Sequence, residues 1–172
     1  MTVPVLLSAL VLLRGLGLLG VKRFASWPSS AAHALAVMLF MTASAHFVPA
    51  SVIVMPNHAD LVAMVPPAIP FPSAMVYLTG VLEILGALGL IVTRTRRAAA
   101  YCLVLLFAFM LPANIYAATA EIPFAGEPAS PLWQRIPEQI LFAAVALWAT
   151  RGTQPLAALL RRRIAEPASS RG

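Results

Sequence analysis

Long apolar stretches separated by short polar segments dominate the chain. Five stretches of 19 to 21 residues contain few charged side chains, and they are residues 3–21, 30–48, 74–92, 98–118 and 131–149. A helix of roughly 20 apolar residues is long enough to cross the hydrocarbon core of a bilayer. A backbone inside a bilayer must satisfy its own hydrogen bonds, and the apolar residues are continuous rather than alternating. The pattern therefore predicts transmembrane α-helices.

Composition agrees with this interpretation. Hydrophobic residues make up 60% of the 172 residues and charged residues 10%, and the mean hydropathy is +0.87. Soluble domains typically have about 45–50% apolar and about 25% charged residues. A soluble chain this apolar would expose large patches that promote aggregation. The predicted fold class is all-α: a polytopic membrane four-helix bundle with an additional N-terminal apolar helix, five helices in total.

Three regions are predicted along the chain: an N-terminal apolar helix (1–26), a four-helix membrane domain (27–150) and an Arg-rich cytoplasmic tail (151–172). The first stretch contains Arg14 near its centre, and an arginine there costs about 2.5–3.5 kcal/mol on insertion scales. This helix therefore either spans the membrane, with Arg14 sheltered in the bundle or snorkelling to the interface, or lies flat on the inner surface. In the tail, residues 155–163 are compatible with a short amphipathic helix on that surface.

Basic residues alternate between the connections. The net charge is +6, and the cations form three clusters, namely Lys22–Arg23, Arg94–Arg96–Arg97 and Arg161–Arg162–Arg163. Residues 49–72 and 119–132 contain no lysine or arginine. By the positive-inside rule, this alternation predicts a multi-pass protein integral to the cell membrane with a cytoplasmic C-terminus. Since the clusters flank apolar stretches and lack interleaved aromatic residues, they indicate a lipid bilayer rather than nucleic acid as the partner.

The connection formed by residues 49–72 is unusual because it contains six prolines among valine, isoleucine, methionine and phenylalanine. It is too apolar for a free aqueous loop and too rich in proline for a helix. We expect it to fold over the outer mouth of the bundle as a lid or a partly re-entrant segment.

Polar side chains from four helices are expected to meet in the outer half of the membrane, beneath this lid. Glu83 lies nine residues into its stretch, or about 13 Å at about 1.5 Å per residue, and is the candidate catalytic residue. The candidate ligand-binding residues are His46, Asn114, Arg135, Glu138 and Gln139. Two structural alternatives for Glu83 stay open, an ion pair with Arg135 or a neutral buried acid. Arg135 and Glu138 are one turn apart and could instead pair with each other.

No metal site is predicted. His33 and His46 lie about 20 Å apart along one helix, too far to share an ion. His46 and His58 lack a suitably spaced third ligand. The single cysteine, Cys102, can form neither an internal disulfide nor a thiol-exchange pair, and it is interpreted as a small buried hydrophobe.

Six sequence elements in the order found here resemble the DoxX family of small membrane proteins over residues 30–150. They are His46–Phe47, Met64-Val-Pro-Pro67 with Pro70, Tyr77-Leu-Thr-Gly-Val-Leu-Glu83 with Gly86 and Gly89, Arg94 with Arg96–Arg97, Pro112-Ala-Asn-Ile-Tyr116, and Arg135-Ile-Pro-Glu-Gln139. The resemblance implies a four-helix membrane bundle, with the first helix as an extra. It also implies a link to membrane redox systems, including quinone-reducing ones. One position departs from the family pattern: Glu138 stands where the family usually has an apolar residue.

Two functions stay open. The first is a component of a membrane redox system that binds a lipid-soluble, quinone-like molecule, with Glu83 handling protons. No cofactor is evident in the chain, so electrons would come from a redox partner subunit. The second is a non-enzymatic binder, transporter or assembly factor for a partner protein, acting alone or as a homo-oligomer. The sequence does not decide whether the protein is an enzyme.

Overall fold

The computed structural model describes residues 2–128 and 130–151, which form six α-helices, one 3-10 helix (Lys22–Phe24) and no β-sheet. The α-helices are α1 (Thr2–Leu18), α2 (Trp27–Ala45), α3 (His58–Ala63), α4 (Pro72–Ile91), α5 (Arg96–Thr119) and α6 (Leu132–Trp148). The predicted all-α class is confirmed. The five apolar stretches correspond to α1, α2, α4, α5 and α6. The tail helix expected at 155–163 and most of the region 151–172 lie outside the described residues.

The prediction of five helices was wrong by one, because α3 forms within the proline-rich connection. Residues 57–65 contain no proline, and Asn57 begins a capping box there. The Asn57 side chain accepts hydrogen bonds from the backbone of Ala59 and Asp60, while the Asp60 carboxylate accepts one from the Asn57 backbone. This reciprocal cap satisfies amide groups that would otherwise lack partners, so even a six-residue helix is stable in this setting.

Helix α2 contributes more buried residues than any other described helix. It packs against α1, α4 and α6, and α5 lies between α4 and α6. Thus α2, α4, α5 and α6 form a closed four-helix ring, and α1 adds to it beside α2. Buried side chains from all five helices, including Leu6, Leu35, Leu90, Leu103 and Phe142, form one core.

The position of α1 is fixed by contacts near both of its ends. The Thr2 hydroxyl lies 3.4 Å from the Glu138 carboxylate at the start of α6, and the Arg14 guanidinium lies 5.4 Å from the centre of the Trp27 ring at the start of α2. With 17 residues, α1 is about 25 Å long. It therefore lies lengthwise along the bundle, with Arg14 against an aromatic face rather than in the centre of the core.

The two ends of the bundle differ in character. We call the end formed by the 46–71 and 120–131 connections the lid end, and the end formed by the 19–26 and 92–95 connections the basic end. At the basic end Arg96 donates to the Leu90 carbonyl at 2.7 Å, and Arg23 donates to the Ile91 carbonyl at 3.3 Å. Two arginines thus satisfy carbonyl groups that α4 leaves unpaired at its C-terminus.

Two of the described helices, α4 and α5, are long and apolar enough to cross a membrane by length and composition. Helix α1 is apolar but shorter. Much of the surface of α4 and α5 consists of exposed apolar side chains, including Leu85 (58% exposed), Leu105 (70%) and Phe109 (63%).

Candidate functional site

Glu83 is buried inside the bundle, with 4% of its surface exposed. It lies on α4 and faces α2, where its Oε2 atom accepts a 3.0 Å hydrogen bond from the Thr42 hydroxyl. The same oxygen lies 3.9 Å from Nε2 of His46. Thr42 and His46 are four residues apart, so they lie on the same face of α2 and approach one carboxylate together.

His46 is held in one orientation by the backbone of α4. Its Nδ1 atom lies 2.7 Å from the Val76 carbonyl, which can only accept a hydrogen bond, so Nδ1 carries a proton. In the neutral ring Nε2 is then the acceptor, and it is the atom that faces Glu83. Gly80 allows His46 to pack this closely on α4, because glycine has no side chain. A Cβ atom added there would lie 2.5 Å from the Cβ of His46.

Asn114 and Arg135 form a second polar pair, between α5 and α6. The Arg135 guanidinium donates a 2.9 Å hydrogen bond to Oδ1 of Asn114 and a 3.0 Å bond to the Ser130 carbonyl. The Asn114 amide nitrogen donates to the Met110 carbonyl one turn earlier, at 3.3 Å. One N–H of the Asn114 amide and further donors of Arg135 are left for another acceptor.

A cavity of about 80 Å³ is lined by His46 of the first pair and by Asn114 of the second. His46 and Thr79 line it from α2 and α4, and Asn114 lines it from α5. The other lining side chains are apolar, namely Leu61, Met64, Val65, Ile69, Met75, Val76, Phe109, Met110 and Ala113. A small apolar space with polar groups on opposite sides can orient a compact polar group by hydrogen bonds.

The connection 49–72 forms the cover of this cavity, as expected of a lid, and we call it the lid segment. Its contribution to the lining is four apolar side chains in and after α3. His58 fixes the lid segment to the bundle, since its Nδ1 lies 2.8 Å from the His46 carbonyl and its Nε2 lies 2.8 Å from the Ser73 hydroxyl. The His58 ring also stacks on Tyr77, with ring centres 4.1 Å apart.

The six predicted site residues fall into three positions. His46 and Glu83 form one pair, and Asn114 and Arg135 form the other. Glu138 is absent from the cavity lining, and its carboxylate accepts a hydrogen bond from Gln134 at 3.2 Å. Gln139 is partly buried and is also absent from the cavity lining.

The ion pair considered between Glu83 and Arg135 is not formed, because the partners of Glu83 are Thr42 and His46 on α2. Sequence reasoning missed Thr42 and Thr79 as parts of the site. The available signal was spacing, since Thr42 precedes His46 by four residues and Thr79 precedes Glu83 by four, which places each threonine on the same helix face as a candidate residue. Over the described part of the chain, no three His, Cys, Asp or Glu residues lie close enough to hold a metal ion.

These features describe a small helical bundle with a lid-covered cavity and a buried carboxylate beside it. The chain belongs to a family described as a domain of unknown function (DUF8561), whose model matches residues 35–150. The match covers both polar pairs, the cavity and the lid segment, and α1 lies outside it. Comparisons with curated proteins and with solved structures gave no match.

Proposed function

We propose that the protein is a multi-pass membrane protein that binds the head group of a quinone-like, lipid-soluble molecule beneath the lid segment, as part of a membrane redox system. One observation carries this proposal: His46 and Asn114 line the same apolar cavity. His46 lies next to the carboxylate of Glu83, and Asn114 accepts a hydrogen bond from Arg135. The resemblance to the DoxX family supports the same interpretation.

The membrane part of the proposal starts from α4 and α5, the two helices with the length and composition of spans. Helix α2 packs against α4, and α6 packs against α5. A membrane that surrounds α4 and α5 would therefore surround α2 and α6 as well. The exposed apolar side chains of α4 and α5 would be unfavourable in water, and lipid tails would cover them without cost. By the positive-inside rule, the basic end then faces the cytoplasm and the lid end faces outward.

The size of the cavity limits the ligand. Pockets that enclose a whole drug-sized molecule measure about 300–1,000 Å³, several times the 80 Å³ found here. The cavity therefore suits one ring or one polar head, with an apolar tail extending between the helices into lipid. A quinone carbonyl would accept a hydrogen bond from the free N–H of Asn114, and the apolar side chains would pack against the ring.

Glu83 and His46 provide a route for protons. Reduction of a quinone to a quinol takes up two electrons and two protons, and a group near the ring must deliver the protons. Glu83 lies 3.9 Å from the ring of His46, and that ring lines the cavity. A proton can pass from the Glu83 carboxyl to Nε2 of His46, and Nδ1 can release its own proton to a bound head group when its hydrogen bond to the Val76 carbonyl opens. The electrons would come from a partner subunit, since the sequence contains no thiol pair or flavin fingerprint.

Binding is tested with the short-chain quinone ubiquinone-1, by equilibrium dialysis against the purified full chain in mild detergent. Asn114→Leu removes the amide and keeps a similar volume, so we expect about tenfold weaker binding, as for the loss of one hydrogen bond of about 1.4 kcal/mol. Thr119→Val is the matched control, because it removes a polar group from the same helix outside the cavity lining. Equal affinity of wild type and Asn114→Leu, or no binding by wild type, would contradict the proposal.

The role of Glu83 is tested separately. Electrochemical reduction of the bound quinone should change an infrared carboxyl band that Glu83→Gln lacks and Glu138→Gln retains. A band that persists in Glu83→Gln would remove Glu83 from the proton route.

A second function, binding without catalysis, is favoured by one observation. Each of Glu83, His46, Asn114 and Arg135 already has a partner within the protein. If Glu83→Gln binds ubiquinone-1 normally and no carboxyl band responds to reduction, the protein is a binder or an assembly factor rather than a redox component.

A further inference from the structure

A second and larger cavity lies on the opposite side of α4 from His46. It is a groove of about 540 Å³ between α4 and α5, and all of its lining residues belong to these two helices and the turn that joins them. Its lining combines the small residues Gly86, Gly89, Ala98 and Ala99 with leucine and valine side chains, together with Thr95 and Cys102. We call this feature the α4–α5 groove.

Helices α4 and α5 pack closely against each other along the groove. A Cβ atom added at Gly89 would lie 2.6 Å from the Cβ of Ala99, and one added at Gly86 would overlap the Leu103 side chain. The backbones of α4 and α5 therefore approach closely here, and larger side chains on either side, such as Leu85 and Leu88, are left exposed. The result is an apolar channel open along its length.

The length and position of the groove match one leaflet of a bilayer. Along α4 it extends from Leu82 to Val92, ten residues or about 15 Å at about 1.5 Å per residue. A bilayer hydrocarbon core is about 30 Å thick, so half of it is about 15 Å. The groove runs from the middle of α4 to Thr95 in the turn at the basic end. An acyl chain of the leaflet on that side would lie in it from end to end.

The groove ends beside Arg94, a cation that no carboxylate of residues 2–128 and 130–151 neutralises. Arg94 immediately precedes the lining residue Thr95, is exposed, and makes no hydrogen bond or ion pair within residues 2–128 and 130–151. The other described cations at this end are Lys22, Arg23, Arg96, Arg97 and Arg151. The described carboxylates lie elsewhere, at the lid end (Asp60, Glu121, Glu127 and Glu138) or inside the bundle (Glu83).

We infer that the α4–α5 groove binds an anionic glycerophospholipid, with one acyl chain in the groove and the phosphate at Arg94. Charge complementarity selects the head group, because a phosphate with net negative charge gains from several nearby cations. This inference rests on the membrane part of the proposed function and is independent of the quinone part.

The test uses the full chain reconstituted in nanodiscs with equal amounts of phosphatidylglycerol and phosphatidylcholine. The protein is then released into mild detergent, and the lipids retained are counted by native mass spectrometry. Wild type should retain phosphatidylglycerol preferentially. Arg94→Gln should lower the phosphatidylglycerol-to-phosphatidylcholine ratio about fivefold, the factor that corresponds to about 1 kcal/mol per arginine near an anionic surface.

Two matched controls make the test specific to the groove. Ala98→Phe fills the groove from an exposed position and should lower retention of both lipids, whereas Leu105→Phe, exposed on the same helix outside the groove, should not. Arg151→Gln removes the same charge just after the end of α6 and should leave the ratio unchanged.

Three outcomes would overturn the inference. An equal effect of Arg94→Gln and Arg151→Gln would mean diffuse surface charge rather than a site. Equal retention of both lipids by wild type, or unaltered retention by Ala98→Phe, would leave the protein in the membrane without a specific lipid. A chain that stays in solution after detergent removal and retains no lipid would overturn the membrane part of the proposed function as well.

Discussion

A side chain larger than hydrogen at position 80 should clash with His46. A Cβ atom added there would lie 2.5 Å from Cβ and 2.7 Å from Cγ of His46, whereas ordinary contacts of this kind are 3.4–4 Å. In Gly80→Ala, α2 and α4 must therefore separate by about 1 Å, or the imidazole must leave the Val76 carbonyl. Forcing extra volume into a packed interior typically costs about 1–3 kcal/mol.

Gly15 provides the matched control, because an added Cβ atom would meet nothing within 4 Å there. Both glycines lie inside α-helices, so the gain in helix propensity, about 1 kcal/mol for glycine to alanine, is common to the two variants. The difference in unfolding free energy between Gly80→Ala and Gly15→Ala then isolates the clash. We expect Gly80→Ala to be less stable by about 1–3 kcal/mol.

The measurement is reversible chemical unfolding in mixed detergent micelles, followed by circular dichroism. Since the clash also moves the His46 ring, Gly80→Ala should bind ubiquinone-1 more weakly than Gly15→Ala. Equal stability of the two variants would show that His46 does not pack on α4 at this point, and the geometry of the His46–Glu83 pair would have to be abandoned.

Three further predictions concern the lid segment. Asn57→Ala removes the cap of α3 and should destabilise that helix by about 1 kcal/mol, measured as faster amide hydrogen exchange in α3 with unchanged exchange in α4. His58→Phe keeps an aromatic ring but loses two hydrogen bonds, so exchange should quicken throughout the lid segment; unchanged rates would mean that His58 does not hold it. In a Cys102→Ser background, Ser51→Cys should react with a membrane-impermeant maleimide added outside intact cells, and labelling only after lysis would reverse the proposed orientation.

The main helices could be predicted from sequence because their apolar stretches are long and uninterrupted. The structural bounds of α4 and α5 fall within two residues of the predicted ones. Helix α3 was not predicted, because the prolines on both sides of it outweighed a local signal. That signal was Asn57 with Asp60 three residues later, which is the spacing of a capping box. It can start a helix only within residues 57–65, the stretch between Pro56 and Pro66.

The partners of the site residues were harder to predict than the residues themselves. Depth along a helix follows from counting residues, and it placed Glu83, His46, Asn114 and Arg135 at one end of the bundle, where the structure has them as the pairs Glu83–His46 and Asn114–Arg135. Rotation about the helix axis does not follow from counting when nearly every position is apolar. For this reason the sequence could not show that Glu83 faces Thr42 on α2 rather than Arg135 on α6.

The uneven placement of charge along the bundle also restricts how copies of the protein can associate. Six of the described cations lie at the basic end. If the protein spans a membrane as proposed, moving each through the membrane centre costs about 2.5–3.5 kcal/mol, so reversal of an inserted chain would cost more than about 15 kcal/mol if these costs add. All copies in one membrane would then point the same way. A homodimer could have its two-fold axis only perpendicular to the membrane, and every lid segment of a symmetric assembly would open on the same side.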